Sequence, residues 1–168
     1  MLWLVLLVCG CGARSTLDAP LDGECARETA NMDVPSTTPW FDTGIDVTAG
    51  QHLHITATGT VRYGGDEKQV TGANGGHYTG KKFFMAAVLP TTVVVSLIGK
   101  VGGTAAVGAG TPLPEGTPDD GPGFVGTSYD EIVAESGRLF LGFNDQKQAF
   151  GDNSGAFTVT ITLICAND

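Results

Sequence analysis

The chain has 168 residues and a formal net charge of −9, with nine Lys and Arg against 18 Asp and Glu; that length holds one domain with a substantial core and is too short for two full-sized ones. Its cationic residues are scattered rather than gathered into a stripe, which excludes the usual electrostatic footprint of a nucleic-acid binder. With 25 Gly, eight Pro, abundant Thr and Val, and hardly any stretch rich in Ala, Leu, Glu and Lys, the composition predicts an all-β chain of short strands and turns.

The first element is an apolar run from Met1 to Val8, about half of the roughly 20 residues that cross a bilayer, so it reads as the core of a signal peptide without the usual basic start. Val8-Cys9-Gly10-Cys11 ends the run with a small residue before Cys11, in the manner of a bacterial lipobox. Cys11 is therefore the candidate lipidation site and residues 1–11 the leader, with ordinary signal cleavage elsewhere as the alternative. Residues 12–24 read as a tether and residues 25–168 as the domain. The chain is expected in a bacterial envelope as a lipoprotein, or in the periplasm or outside the cell, meeting a membrane only through a lipid anchor. Cys25 and Cys165 stand near the two ends of the domain, and an oxidising compartment permits them to pair. A cross-link closing so long a loop contributes about 4–5 kcal/mol on the chain-entropy account; two separate thiols are the alternative.

Trp40 to Val47 alternates enough to be a strand, and Ala49-Gly50 is the turn after it. In His52-Leu53-His54-Ile55-Thr56-Ala57 the period of two turns Leu53, Ile55 and Ala57 to the core. Gly59 marks a bend before Thr60 to Tyr63. Residues 64–80 are polar and Gly-rich and read as one long surface loop. Two apolar runs follow, 83–89 and 92–98, split by Pro90; the β-branched Val93-Val94-Val95 predicts a buried strand in the second. After a Gly/Pro-rich excursion over 102–122, strands are expected at Arg138 to Phe143 and Phe157 to Leu163. Seven or eight short strands with turns between them predict a β-sandwich or jelly roll.

Oxygen-bearing side chains are densest between the last two strands, at Asn144, Asp145, Gln148, Asp152, Asn153 and Ser154. Ca²⁺ takes about six to eight oxygen ligands, and carboxylates, amides and backbone carbonyls supply them. The spacing is not that of an EF-hand, and a loop made polar only by its Asx turns would look much the same.

Three separated pieces give this loop a context. They are Trp40-x-Asp42-Thr43-Gly44-Ile45 with Gly50; Ile55-Thr56-Ala57-Thr58-Gly59-Thr60-Val61-Arg62-Tyr63-Gly64; and Phe143-Asn144-Asp145 running to Gly151-Asp152-Asn153-Ser154-Gly155-Ala156-Phe157-Thr158-Val159. Together they resemble the calcium-dependent galactose-binding lectins of bacteria, the LecA-like family, over residues 38–164. The resemblance implies a jelly-roll-like sandwich of two curved antiparallel sheets with Ca²⁺ at one end. It implies Asp145 as a carboxylate ligand, Asp152 and Asn153 as paired ligands, and Tyr63 and Ala149 as donors of backbone carbonyls. In that family two neighbouring sugar hydroxyls complete the coordination, and the residues matching Asp145 and Asp152 also accept hydrogen bonds from them. Asp152 stands where the family usually has Asn, which adds a negative charge and removes an amide donor. The family's other sugar contacts fall on the loop Gly75 to Gly80, where His77 and Tyr78 are the candidate contacts.

Other patterns carry less. Gly64-Gly65-Asp66-Glu67 spells most of a diguanylate cyclase signature without the α/β domain that chemistry needs. Gly151-Asp152-Asn153-Ser154-Gly155 is broken as a nucleophile turn by its inserted Asn. His52 and His54 share a strand face but are too few for Zn²⁺. No nucleophile is paired with a base at motif spacing, so the chain is not expected to be an enzyme. The reading is a Ca²⁺-dependent module for a hexose or glycan, compatible with a homo-oligomer and without a nucleic-acid partner; the alternative is a structural or interaction domain of a surface lipoprotein with at most a structural Ca²⁺.

Overall fold

The computed structural model describes residues 28–76 and 85–165. The leader, the tether, Cys11, Cys25, His77 and Tyr78 lie outside the described residues. Ten strands follow in order: β1 Glu28–Pro35, β2 Phe41–Val47, β3 His52–Thr58, β4 Thr60–Arg62, β5 Val70–Gly72, β6 Leu97–Val101, β7 Thr111–Pro112, β8 Ser128–Ile132, β9 Gly137–Phe143 and β10 Ala156–Ile164. One antiparallel four-stranded sheet runs β1-β10-β3-β8, a second runs β2-β9-β6-β7, and β4 and β5 form a small hairpin. The fold is the expected all-β sandwich.

Side-chain alternation sets the register of the first sheet. Leu53, Ile55 and Ala57 of β3 lie opposite Leu163, Ile161 and Val159 of β10, so the apolar rows of the two strands coincide and face one core. A slip of β10 by one residue would turn its apolar row to solvent and Thr158 and Thr160 inward. Ala30, Met32 and Val34 extend the row onto β1.

The two central strands of the second sheet, β6 and β9, are covered on both faces, which is why β9 reads as an apolar run. Leu139, Leu141 and Phe143 join the inter-sheet core, while Phe140 and its β6 neighbour Lys100 point the other way. Lys100 is buried there: its ammonium lies 4.6 Å from the Trp40 ring and 5.2 Å from Phe140. It donates to the carbonyls of Thr104 at 2.6 Å, Ala106 at 3.1 Å and Ala109, closing the loop after β6 over this face. Gly142 lets the segment between β1 and β2 cross the same face, because a Cβ there would overlap the Pro39 carbonyl.

Four sequence expectations change. Strands β1 and β8 were not anticipated; each is a sheet edge carrying charge on its exposed face, Asp33 on β1 and Asp130 on β8, which thins the apolar alternation. The stretch 64–80 is not one uninterrupted loop, since β5 pairs with β4 within it. Val93 to Val95 are buried but not a strand: Val95 has φ 52°, and the strand begins at Leu97. The expected apolar run was right about burial and wrong about conformation, because burial there comes from a folded turn gripped by Asn144.

Candidate functional site

The turn between β9 and β10 carries the chain from the second sheet to the first, and it is fixed at both ends. At its start Asn144 is fully buried: its side-chain oxygen accepts from Leu89 N–H at 2.9 Å, and its amide donates to the carbonyls of Leu89 at 3.1 Å, Thr92 at 3.2 Å and Val93 at 2.9 Å. This side chain, grouped by sequence with the oxygen donors of the loop, is instead an inward bolt tying the loop to the 89–93 turn. Val88 N–H donates to the Asp145 carbonyl at 3.0 Å and Lys147 N–H to the Ala86 carbonyl at 3.0 Å, so residues 86–88 brace the loop from outside. A 3₁₀ turn over Phe150–Asp152 follows, anchored by buried Phe150. At its end Arg62 and Ser154 exchange backbone hydrogen bonds of 2.9 and 3.1 Å, which clamp the loop against the end of β4. Ser154 is thereby a backbone clamp rather than an oxygen donor of the loop.

This clamp brings Tyr63, Gly64 and Gln69 from one side against Asp145, Gln146, Ala149 and Asp152 from the other, around an open cleft of about 120 Å³. Four of the five residues expected as metal ligands, Tyr63, Asp145, Ala149 and Asp152, line it. Asn153 lies just behind. Its amide donates to Asp145 Oδ2 at 2.9 Å and to the Ser36 carbonyl at 3.0 Å, and its Oδ1 accepts from Gly64 N–H at 3.2 Å. The other oxygen of Asp145 accepts from Gln146 N–H at 2.7 Å. Both oxygens of the Asp145 carboxylate are thus aimed by fixed donors, each retaining a lone-pair direction for a further partner.

None of the side chains lining the cleft is cationic, and the oxygens it offers a cation are those of two carboxylates and the backbone. That set suits a hard cation such as Ca²⁺, with Asp145 and Asp152 supplying the charge and Tyr63 and Ala149 neighbouring carbonyls. Among the described residues no three His, Cys, Asp or Glu side chains gather as a metal cage, so a cation here would depend on main-chain oxygens as well. Gln69 and Gly64 were missed by sequence reasoning, since only the tight turn after β4 carries them into the cleft. His52 and His54 stand on the outer face of the first sheet, 2.8 and 3.4 Å from Asp130 Oδ1, well separated in the chain from this loop.

No family model matches this chain, and no curated protein matches it. Among solved structures, one described as the EclA N-terminal domain, a PllA-like lectin, matches with a TM-score of 0.54 and 21% identity over 79% of this chain and 94% of that one. The two share a fold. Because the alignment covers nearly all of the other domain, the likeness extends over the sandwich as a whole rather than one hairpin. Of the remaining site expectations, Cys165 is disulfide-bonded, and Cys25 lies outside the described residues.

Proposed function

We propose that this chain is an exported carbohydrate-binding module whose cleft between Tyr63 and Asp152 holds Ca²⁺ and, with it, a hexose or the end of a glycan. The observation that carries this reading is the meeting of Tyr63, Asp145, Ala149 and Asp152 around one cleft in a lectin-like fold. A Ca²⁺ bound among these oxygens would accept two sugar hydroxyls as ligands. The protein's own part is orientation: Asn153 and Gln146 N–H hold the Asp145 carboxylate, and Asp145 and Asp152 accept hydrogen bonds from those hydroxyls. The reading includes a Cys25–Cys165 disulfide, export with either a lipid on Cys11 or ordinary signal cleavage, and sugar contacts from His77 and Tyr78.

One observation favours a second reading, a structural or interaction domain with at most a structural Ca²⁺ and no sugar binding. Asp145 already meets Gln146 N–H and Asn153, so the loop is closed by its own hydrogen bonds. Calorimetric titration with Ca²⁺ and then with a panel of methyl glycosides separates the two. The lectin reading expects sugar binding that requires Ca²⁺, with both lost in Asp145→Ala. Full sugar affinity in that variant or in chelator would overturn it, and Ca²⁺ binding without any sugar response would support the structural domain.

A further inference from the structure

We infer that Gln69 is a specificity-determining residue of the cleft, presenting an amide N–H to an acceptor oxygen of the bound sugar; this rests on the carbohydrate reading above. Gln69 is half-buried in the cleft wall, on the same opening as the Asp145 and Asp152 carboxylates. Its position is set by the backbone. Tyr63 N–H donates to the Gln69 carbonyl at 2.8 Å and Gln69 N–H to the Asp66 carbonyl at 3.0 Å, so residues 63–69 close a tight loop that returns Gln69 beside Tyr63.

The orientation of its amide follows from one further bond. Asp66 N–H points at Gln69 Oε1 at 3.1 Å. A backbone N–H requires an acceptor, so the oxygen must occupy that end and the NH₂ the other. Among the described residues no acceptor takes the Nε2 protons. The amide also occupies a slot made for it. Gly64, at φ +91°, leaves space that a Cβ would fill, since that atom would run into the Gln69 amide itself.

The chemistry this adds is a donor in a cleft otherwise rich in acceptors. Two carboxylates accept from sugar hydroxyls but cannot donate, so they do not distinguish a ligand by its acceptor oxygens. Gln69 Nε2 does. Gln146 also carries an amide at the cleft, but its side chain is exposed and must lose more freedom to serve, whereas Gln69 is already held at its oxygen end. The ligand class is therefore a neutral pyranoside with a hydroxyl or acetamido carbonyl oxygen beside the hydroxyl pair that meets the carboxylates. A sugar offering an ammonium at that position would set donor against donor.

The test compares the full chain with its Gln69→Ala and Gln69→Glu variants at saturating Ca²⁺. Calorimetry reads Ca²⁺ first, then methyl glycosides of galactose, glucose, mannose, N-acetylglucosamine and glucosamine. Gln69→Glu keeps an acceptor for Asp66 N–H, so the loop persists while the donor is replaced. The expected result is sugar affinity reduced about three- to tenfold in both variants for the glycoside the wild type binds best, with Ca²⁺ binding retained. Unchanged affinity for every glycoside in both variants, with the wild type binding sugar, overturns the role of Gln69 alone. A wild type that binds Ca²⁺ and none of the glycosides overturns the carbohydrate reading, and this inference with it.

Discussion

Two buried polar side chains outside the cleft each make a separate prediction. Asn144 satisfies one backbone N–H and three carbonyls with a single side chain. Truncation to Ala strands those groups beneath the surface, so Asn144→Ala is expected to lower stability by about 3 kcal/mol in urea unfolding. Lys100 is the second. Burial pushes its pKa below the ordinary lysine value of 10.5. Between the lowered value and 10.5 the unfolded chain binds more protons than the folded one, so this residue makes stability rise with pH across that window. Tyr129 acts in the opposite sense above 10.0, where burial and then Glu131 keep its phenol protonated in the folded state while the unfolded chain releases that proton. Lys100→Met is expected to flatten the Lys100 contribution. It also leaves the carbonyls of Thr104, Ala106 and Ala109 without their donor, at a cost of about 1–3 kcal/mol at neutral pH. Urea unfolding of both proteins across the window measures both effects.

The next scale is the turn after β4 and the loop between β9 and β10, which work as one unit because Arg62 and Ser154 are paired. Gly64→Ala tests that unit. A side chain at φ +91° is strained and collides with Gln69, so the variant is expected to lose about 1–3 kcal/mol of stability and to weaken Ca²⁺ binding along with it. An unchanged melting temperature and Ca²⁺ affinity would mean that the unit is looser than this packing implies. Sequence patterning read the central strands well: β3 alternates cleanly, and β10 does so as far as Ile161, because that part of their outer face is solvated. It lost β1 and β8, whose edge positions tolerate charge, and it misread Val93 to Val95, whose β-branched side chains are buried without a ladder. The acidic half of the cleft was legible because Asp145, Ala149 and Asp152 lie within one short stretch. Gln69 was not, since its place depends on a turn that spacing does not encode. Asn153 was found for its oxygen, yet in the fold it steers the Asp145 carboxylate with its nitrogen.

Across the whole molecule, the strands next to the termini, β1 and β10, are hydrogen-bonded neighbours, Glu28 opposite Leu163. That pairing puts the start of the described chain beside Cys165, which is disulfide-bonded, and accords with the proposed Cys25–Cys165 link. Peptide mapping without reductant is expected to recover Cys25 and Cys165 in one cross-linked fragment, and Cys165→Ser to lower stability by about 4–5 kcal/mol on the chain-entropy account. Recovery of Cys165 with Cys9 or Cys11 would contradict the pairing. The link would fasten one edge of the sandwich, while the cleft is formed where the chain crosses between sheets.

The most direct test of the central claim is a thermal melt of the full chain in chelator, in Ca²⁺, and in Ca²⁺ with each monosaccharide of a panel, because a ligand selective for the folded state raises its stability by mass action. A melting temperature that rises with Ca²⁺ and rises further with one class of sugar is the predicted result. No shift with Ca²⁺, or an equal sugar shift in chelator, would contradict a calcium-dependent lectin site between Tyr63 and Asp152.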